Sequence, residues 1–188
     1  MKKVFFIGIL SILFVGISFS QTRIGLTAGL NASDITVSGE DVINSNYKAG
    51  FQAGLVFDFG VTNNFSVIPE LLFSQRGSKG TNSSLTLNYL QLPVNLALKF
   101  DVGYGSKLFI FAGPYIGYGI SANNDLKFGS AINELKALDF GFNGGIGYQF
   151  EKIFFKVQCN PGLSNLSNIS AVTSKNMNFA VTAGYFFN

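Results

Sequence analysis

From residue 22 onward, apolar residues alternate with polar or small ones in eight separate segments of the chain. The fourth segment shows this best, with Leu90, Leu92, Val94, Leu96, Leu98 and Phe100 alternating with Gln91, Pro93, Asn95, Ala97 and Lys99. A period of two residues is the signature of a β-strand whose two faces meet different surroundings. The alternation predicts eight strands, at 23–31, 48–59, 65–76, 90–100, 108–120, 139–150, 153–163 and 177–187.

The charged residues of these segments all fall in one of the two phases. The apolar phase contains none, and the polar phase contains eight: Arg23, Lys48, Asp58, Glu70, Arg76, Lys99, Asp139 and Lys156. The polar phase is also rich in Gly, which a water-facing surface does not need but a narrow barrel interior does. We therefore expect the polar phase to point inward and the bulky apolar phase to face lipid. This predicts an all-β fold, an eight-stranded antiparallel up-and-down transmembrane β-barrel.

The connections between the predicted strands alternate in length. Those at 60–64, 101–107 and 151–152 are short, whereas those at 32–46, 77–89, 121–138 and 164–176 are longer and rich in Asn, Ser and Gly. This rhythm is typical of an outer-membrane barrel with tight periplasmic turns and larger outer loops. The first and last strands must pair, because an open edge in hydrocarbon would leave backbone groups without partners.

One stretch departs from the alternation. Leu85, Leu87 and Tyr89 lie in the opposite phase to Leu90. A β-bulge near Tyr89, or apolar residues that point inward at this level, would explain the departure.

The N-terminal twenty residues have a different pattern. Lys2 and Lys3 precede an almost wholly apolar run at residues 4–19, and Ser18 and Ser20 place small residues three and one positions before Gln21. This pattern predicts a cleaved secretory signal peptide at residues 1–20 and an outer-membrane barrel domain at 21–188.

Composition limits the chemistry that the chain can perform. The chain contains no His, which removes the commonest general base and metal ligand. Cys159 is the single cysteine and falls in the lipid-facing phase, where a thiol stays protonated and inert. Basic residues are scattered, so no nucleic-acid surface is predicted. We expect a non-enzymatic protein with no catalytic residues, no cofactor and no metal site.

Five motifs resemble one known family. They are LTAGLNAS at 26–33, GFQAGL at 50–55, PELLFSQRG at 69–77, NYLQLP at 88–93 and FAGP at 111–114. Their order and spacing resemble the PorT-like outer-membrane β-barrel family of Bacteroidota. The resemblance implies an outer-membrane barrel, and most such proteins have no assigned activity. The chain departs from the usual pattern at Asn188, which follows Phe187 where a terminal aromatic residue is typical.

Two interpretations of the eight inward charges remain open. They line a solute path, or they form a buried ion-pair network that fills the interior; the second is favoured, because isolated buried charge is unfavourable. We expect a monomeric outer-membrane barrel with a plugged interior and an envelope-structural or loop-mediated role. Its expected partners are outer-membrane lipid and an envelope protein bound through the outer loops. The alternatives are a narrow passive porin-like pore for small solutes and a soluble lipocalin-like ligand-binding barrel.

Overall fold

The computed structural model describes residues 21–38, 46–79, 84–123, 127–128, 134–165 and 173–188. These residues contain ten strands: β1 (Gln21–Ser38), β2 (Asn46–Gly60), β3 (Phe65–Lys79), β4 (Ser84–Gly103), β5 (Ser106–Ala122), β6 (Lys127–Phe128), β7 (Glu134–Leu135), β8 (Leu138–Phe150), β9 (Ile153–Pro161) and β10 (Thr173–Phe186). Eight of them form a closed barrel in the order β1-β10-β9-β8-β5-β4-β3-β2. The two shortest, β6 and β7, form a separate parallel pair. The predicted fold class and strand number are confirmed.

The barrel closes where its first strand meets its last. β1 and β10 are antiparallel and pair without interruption from Gly25 opposite Phe186 to Ser38 opposite Thr173. Closure removes the open edge that a sheet would otherwise present to lipid. The predicted pairing of the first and last strands is therefore confirmed. The predicted signal peptide, residues 1–20, lies outside the described residues.

The two faces of the wall are inverted relative to a water-soluble protein. Large apolar side chains are exposed on the outer surface, among them Leu96 at 52% and Val181 at 60%. Polar side chains are buried inside, among them Asn95 at 2% and Asp139 at 0%. A soluble lipocalin-like barrel requires the reverse arrangement, so this structure does not favour that alternative. In the described residues no helix has the length and apolar character needed to cross a membrane.

The four long connections predicted from the sequence are shorter in the structure, because strand pairing continues beyond the lipid-facing apolar alternation. β1 extends to Ser38, β3 extends to Lys79 and β4 begins at Ser84. The added residues pair across the sheet, for example Ser38 with Thr173 and Lys79 with Ser84. Where the added residues include apolar ones, as at Leu85, Leu87 and Tyr89 of β4, these fall in the phase opposite to that of the lipid-facing residues. The lipid-facing period therefore ends before the strand pairing does.

The irregular stretch before Leu90 combines inward-pointing apolar residues on β4 with a bulge on the neighbouring strand β5. Leu87 and Tyr89 are buried in phase with Gln91, so apolar residues do point inward at this level of β4. The pairing with β5 also shifts here, since Asn88 pairs with Ser121 and Tyr89 with Gly119. Ile120 is the extra residue, so the irregularity belongs to β5 and the phase of β4 is unbroken.

Candidate functional site

The interior of the barrel is the place where the chain gathers its charged and aromatic side chains. Four inward aromatic rings each lie against a glycine directly opposite on the neighbouring strand, and a Cβ on that glycine would collide with the ring. The pairs are Phe109 with Gly147, Phe111 with Gly145, Tyr115 with Gly141, and Phe154 with Gly184. Small residues thus make room for large ones across the narrow lumen.

An apolar cluster occupies part of this interior. It consists of buried side chains in the inward phase: Val56, Ala97, Phe109, Phe111, Phe154 and Phe186. We did not predict this cluster, because these residues fall in the phase that carries the charged residues. The signal that identifies it is an inward aromatic residue opposite a glycine, and that signal requires the strand register.

Glu70 and Lys156 form an ion pair across the full width of the lumen. The Lys156 Nζ atom lies 2.5 Å from Oε1 and 2.7 Å from Oε2 of Glu70. Both side chains are buried. In the closed order of eight strands, β3 and β9 are four positions apart, so they are diametrically opposite. The amide of Asn95 also donates to Glu70, at 3.3 Å.

Asp58 accepts hydrogen bonds from two cations. The Nη2 atom of Arg23 and the Nζ atom of Lys99 each lie 2.5 Å from its Oδ2 atom. Arg23 also donates to Gln149 Oε1 at 3.0 Å, and its guanidinium lies 4.4 Å from the centre of the Phe186 ring. Asp58 on β2 is thus bonded to Arg23 on β1 and to Lys99 on β4, and Arg23 is bonded in turn to Gln149 on β8. Because β8 lies between β9 and β5 in the barrel wall and does not neighbour β1, β2 or β4, the cluster reaches across the lumen.

Asp139 is the centre of a third cluster. It accepts hydrogen bonds from Ser164 Oγ at 2.5 Å, Asn176 Nδ2 at 2.9 Å and Tyr115 OH at 3.2 Å. The Nη1 atom of Arg76 lies 3.6 Å from its Oδ2 atom, and both side chains are fully buried. Charge-assisted bonds from several strands offset the desolvation of this carboxylate.

Lys48 stands apart from the three carboxylates. Its Nζ atom donates to the Leu85 carbonyl oxygen at 3.0 Å and contacts Thr86 Oγ1. The structure therefore brings seven of the eight predicted inward charges into three clusters, around Asp58, Glu70 and Asp139. Lys48 lies near the long-connection end of the barrel.

The space left between the first two clusters is small. A cavity of about 20 Å³ is lined by Asp58, Glu70, Lys99 and Lys156 and by five of the six side chains of the apolar cluster, all except Ala97. That volume is about the size of one water molecule. In the described ranges, no group of His, Cys, Asp or Glu residues is arranged to hold a metal ion. Cys159 is half-buried on the outer face of β9, away from the lumen.

Comparison with known proteins identifies the family of this chain. Residues 19–168 match the family described as outer membrane protein beta-barrel domain. The chain belongs to this family. The outer membrane is therefore its location, and lipid surrounds its apolar wall. This family description names an outer-membrane β-barrel in general and does not specify the PorT-like subtype. No curated protein sequence is significantly similar to the chain.

Solved structures with the same fold come from other outer-membrane proteins. The outer membrane enzyme PagL superposes with a TM-score of 0.58 at 15% identity, covering 86% of this chain and 98% of that one. OprG from Pseudomonas aeruginosa gives 0.53 at 12% identity, with 89% and 97% covered. Neisserial surface protein A gives 0.52 at 10% identity, with 88% and 99% covered. At these identities the similarity shows the fold alone.

Proposed function

We propose that this family member is a non-enzymatic outer-membrane barrel whose interior is closed by its own side chains. Its role is then structural in the envelope, or it is carried by the outer loops that bind an envelope protein. The observation that carries this proposal is the ion pair of Glu70 with Lys156, because it connects diametrically opposite strands. A solute passing along the axis would have to break it.

The other contents of the lumen support closure. Above and below this ion pair, the Asp58 and Asp139 clusters link further strands across the interior. The apolar cluster fills the space beside them and leaves a cavity for about one water molecule. The chain also lacks His, the residue on which proton transfer in enzymes most often relies.

The PorT-like subtype is part of the same proposal. The motif at 69–77 supplies Glu70, Ser74 and Arg76, and the motif at 88–93 supplies Gln91. All four side chains are buried in the lumen, and Arg76 Nη2 donates to Gln91 Oε1 at 2.9 Å. Two of the motifs that carry the resemblance thus contribute buried polar side chains to the interior.

Planar-bilayer recording of the purified protein tests closure. We expect no steady single-channel currents from the wild type. In the variant Glu70→Ala/Lys156→Ala, which removes both halves of the transverse bridge, we expect current steps to appear. The control is Lys107→Gln at the exposed end of the barrel, which leaves the bridge intact and should remain silent. Steady currents from the wild type would overturn the closed interior and favour the narrow pore.

The loop-mediated role needs a separate measurement. Cysteines introduced one at a time at Asn123 and Lys136, near the long-connection end, are reacted with a cross-linker in intact cells. We expect one cross-linked envelope protein at these sites and none at Tyr104 on a short turn. A barrel that forms no cross-link from either outer site has a structural role rather than a loop-mediated one.

A further inference from the structure

A polar vestibule lies at the short-turn end of the barrel, outside the closed interior. It encloses about 390 Å³, and the residues that determine its chemistry are Arg23, Asp58, Lys99, Asp101, Lys107 and Ser66. Asp58 and Lys99 are nearly inaccessible and form its floor together with the partly buried Arg23, whereas Lys107 and Asp101 are more exposed and form its rim. In outer-membrane barrels the short turns are on the periplasmic side, so the vestibule opens toward the periplasm.

The vestibule has one positive charge more than its carboxylates balance. On the rim, Lys107 and Asp101 form a one-to-one pair at 3.3 Å. On the floor, Arg23 and Lys99 share the single carboxylate of Asp58. The next charged pair inward, Glu70 with Lys156, is balanced in itself. The lining residues therefore leave one excess positive charge on the floor, where burial makes an unbalanced cation unfavourable.

The local structure holds both floor cations in place. The β2–β3 turn fixes the backbone of Lys99, since its amide donates to the Asn64 carbonyl oxygen at 2.8 Å and its carbonyl oxygen accepts from Asn64 Nδ2 at 2.9 Å. Arg23 is held by Gln149 and by the face of the Phe186 ring. Preorganised cations bind an anion without first losing side-chain freedom.

We propose that this vestibule binds one small hydrophilic oxyanion, a phosphate or carboxylate group. Its excess single charge selects for an anion, and guanidinium and ammonium groups are the preferred partners of phosphate and carboxylate oxygens. Its volume is at the lower end of the range for small-ligand sites, about 300–1,000 Å³, which favours a small molecule or headgroup over a polymer. The hydroxyl of Ser66 in the lining suits a polar ligand.

Calorimetric titration with inorganic phosphate tests the charge argument, using the full chain in a non-ionic detergent at low salt. We expect saturable binding to the wild type. Lys99→Met removes the excess charge and should weaken binding at least tenfold, and Arg23→Met should act in the same direction. Asp58→Asn raises the excess from one charge to two and should tighten binding severalfold. The control Lys175→Gln removes the same charge from an exposed site on β10 and should change nothing.

The opposite effects of Lys99→Met and Asp58→Asn separate a binding site from a merely structural cluster. If Asp58→Asn is too unstable to titrate, its urea midpoint in phosphate and in chloride is compared with the wild type's. Because phosphate binds the folded state, it should raise the urea midpoint of Asp58→Asn more than that of the wild type.

A second titration replaces free phosphate with phosphatidylglycerol in phosphatidylcholine nanodiscs, which distinguishes a lipid headgroup from a free anion. No saturation in either arm, or equal affinities of wild type and Lys99→Met, would overturn the proposal.

Discussion

The ring of Phe109 lies over Gly147, its cross-strand partner in the β5–β8 pair. The three atoms closest to a Cβ built on Gly147 all belong to that ring, and the ring itself is 5% exposed. The glycine is needed for space and not for backbone freedom, since its φ is not positive. Three further aromatic–glycine pairs in the lumen repeat the arrangement, so the register of the strands and the filling of the interior depend on each other.

The first prediction concerns this contact. Gly147→Ala forces the Phe109 ring from its position, and overpacking of this kind destabilises a protein by about 1–3 kcal/mol. The measurement is the free energy of unfolding from urea titration in lipid vesicles. In a Phe109→Ala background, Gly147→Ala should lower the unfolding free energy by less than it does in the wild type, because the ring that the new Cβ would meet is absent.

Gly144 provides the matched control for Gly147 in the same strand. A Cβ on Gly144 would meet only the Phe111 carbonyl oxygen, at 3.9 Å. Gly144→Ala should therefore change the unfolding free energy by less than about 0.5 kcal/mol. Equal effects of the two alanine substitutions would show that the Phe109 ring does not depend on the absence of a Cβ at Gly147.

The alternation of the sequence determined the faces of the wall and the strand number correctly. It did so because lipid and lumen impose opposite demands on successive residues of a strand. It did not identify the aromatic–glycine pairs, because Phe109 and Gly147 become neighbours only through the register of β5 and β8.

The individual ion pairs could not be predicted from the sequence for a similar reason. Glu70 and Lys156 are 86 residues apart and meet only because the barrel closes. Likewise, the contacts of Lys48 with the Leu85 carbonyl oxygen and Thr86 Oγ1 of β4 depend on the strand register and could not be predicted from the sequence. The outer ends of the strands were missed because the lipid-facing apolar period stops before the strand pairing does.

The second prediction compares removal of one half of a buried ion pair with removal of both. Lys156→Met leaves the Glu70 carboxylate buried without its cation, which should reduce the unfolding free energy by about 3–5 kcal/mol. Glu70→Leu/Lys156→Met replaces the pair by apolar groups and should be much less destabilising than either single change. A double-mutant cycle on urea unfolding measures the coupling.

The rim pair of Asp101 and Lys107 serves as the control for that cycle. It joins two side chains that are 64% and 33% exposed, at 3.3 Å. Exposed pairs contribute about 0–1 kcal/mol, so its coupling energy should lie in that range. A coupling between Glu70 and Lys156 no larger than that of the rim pair would contradict the interpretation of a buried bridge.

The third prediction concerns the lipid-facing wall. Leu96 lies in the middle of the apolar stretch of β4 and is 52% exposed. Leu96→Arg places a charge in hydrocarbon and should destabilise the folded barrel in vesicles by about 2–4 kcal/mol. Val102→Arg, at the short-turn end and 55% exposed, should lose only about 0–1 kcal/mol. Equal losses at the two positions would mean that Leu96 does not face the membrane interior.

The fourth prediction concerns the seam between β1 and β10, where the side chain of Asn188 acts as an added peptide group. Its Nδ2 atom donates to the Thr22 carbonyl oxygen at 2.8 Å, and its Oδ1 atom accepts from the Ile24 amide at 3.1 Å. These bonds continue the ladder beyond the Phe187 amide, which donates to the Ile24 carbonyl oxygen at 2.8 Å. Asn188→Ala should therefore open the end of the seam locally and lower stability by about 1 kcal/mol.

Amide hydrogen exchange locates that effect. In Asn188→Ala the Ile24 amide should exchange faster, because its acceptor has been removed. The amide of Leu26, which pairs with Tyr185 further along β1, should keep its protection and serves as the internal control. Unchanged exchange at Ile24 would show that the Asn188 side chain does not hold the seam. Faster exchange at both amides would indicate that the whole β1–β10 pair depends on it, because loss of one terminal contact then spreads along the ladder.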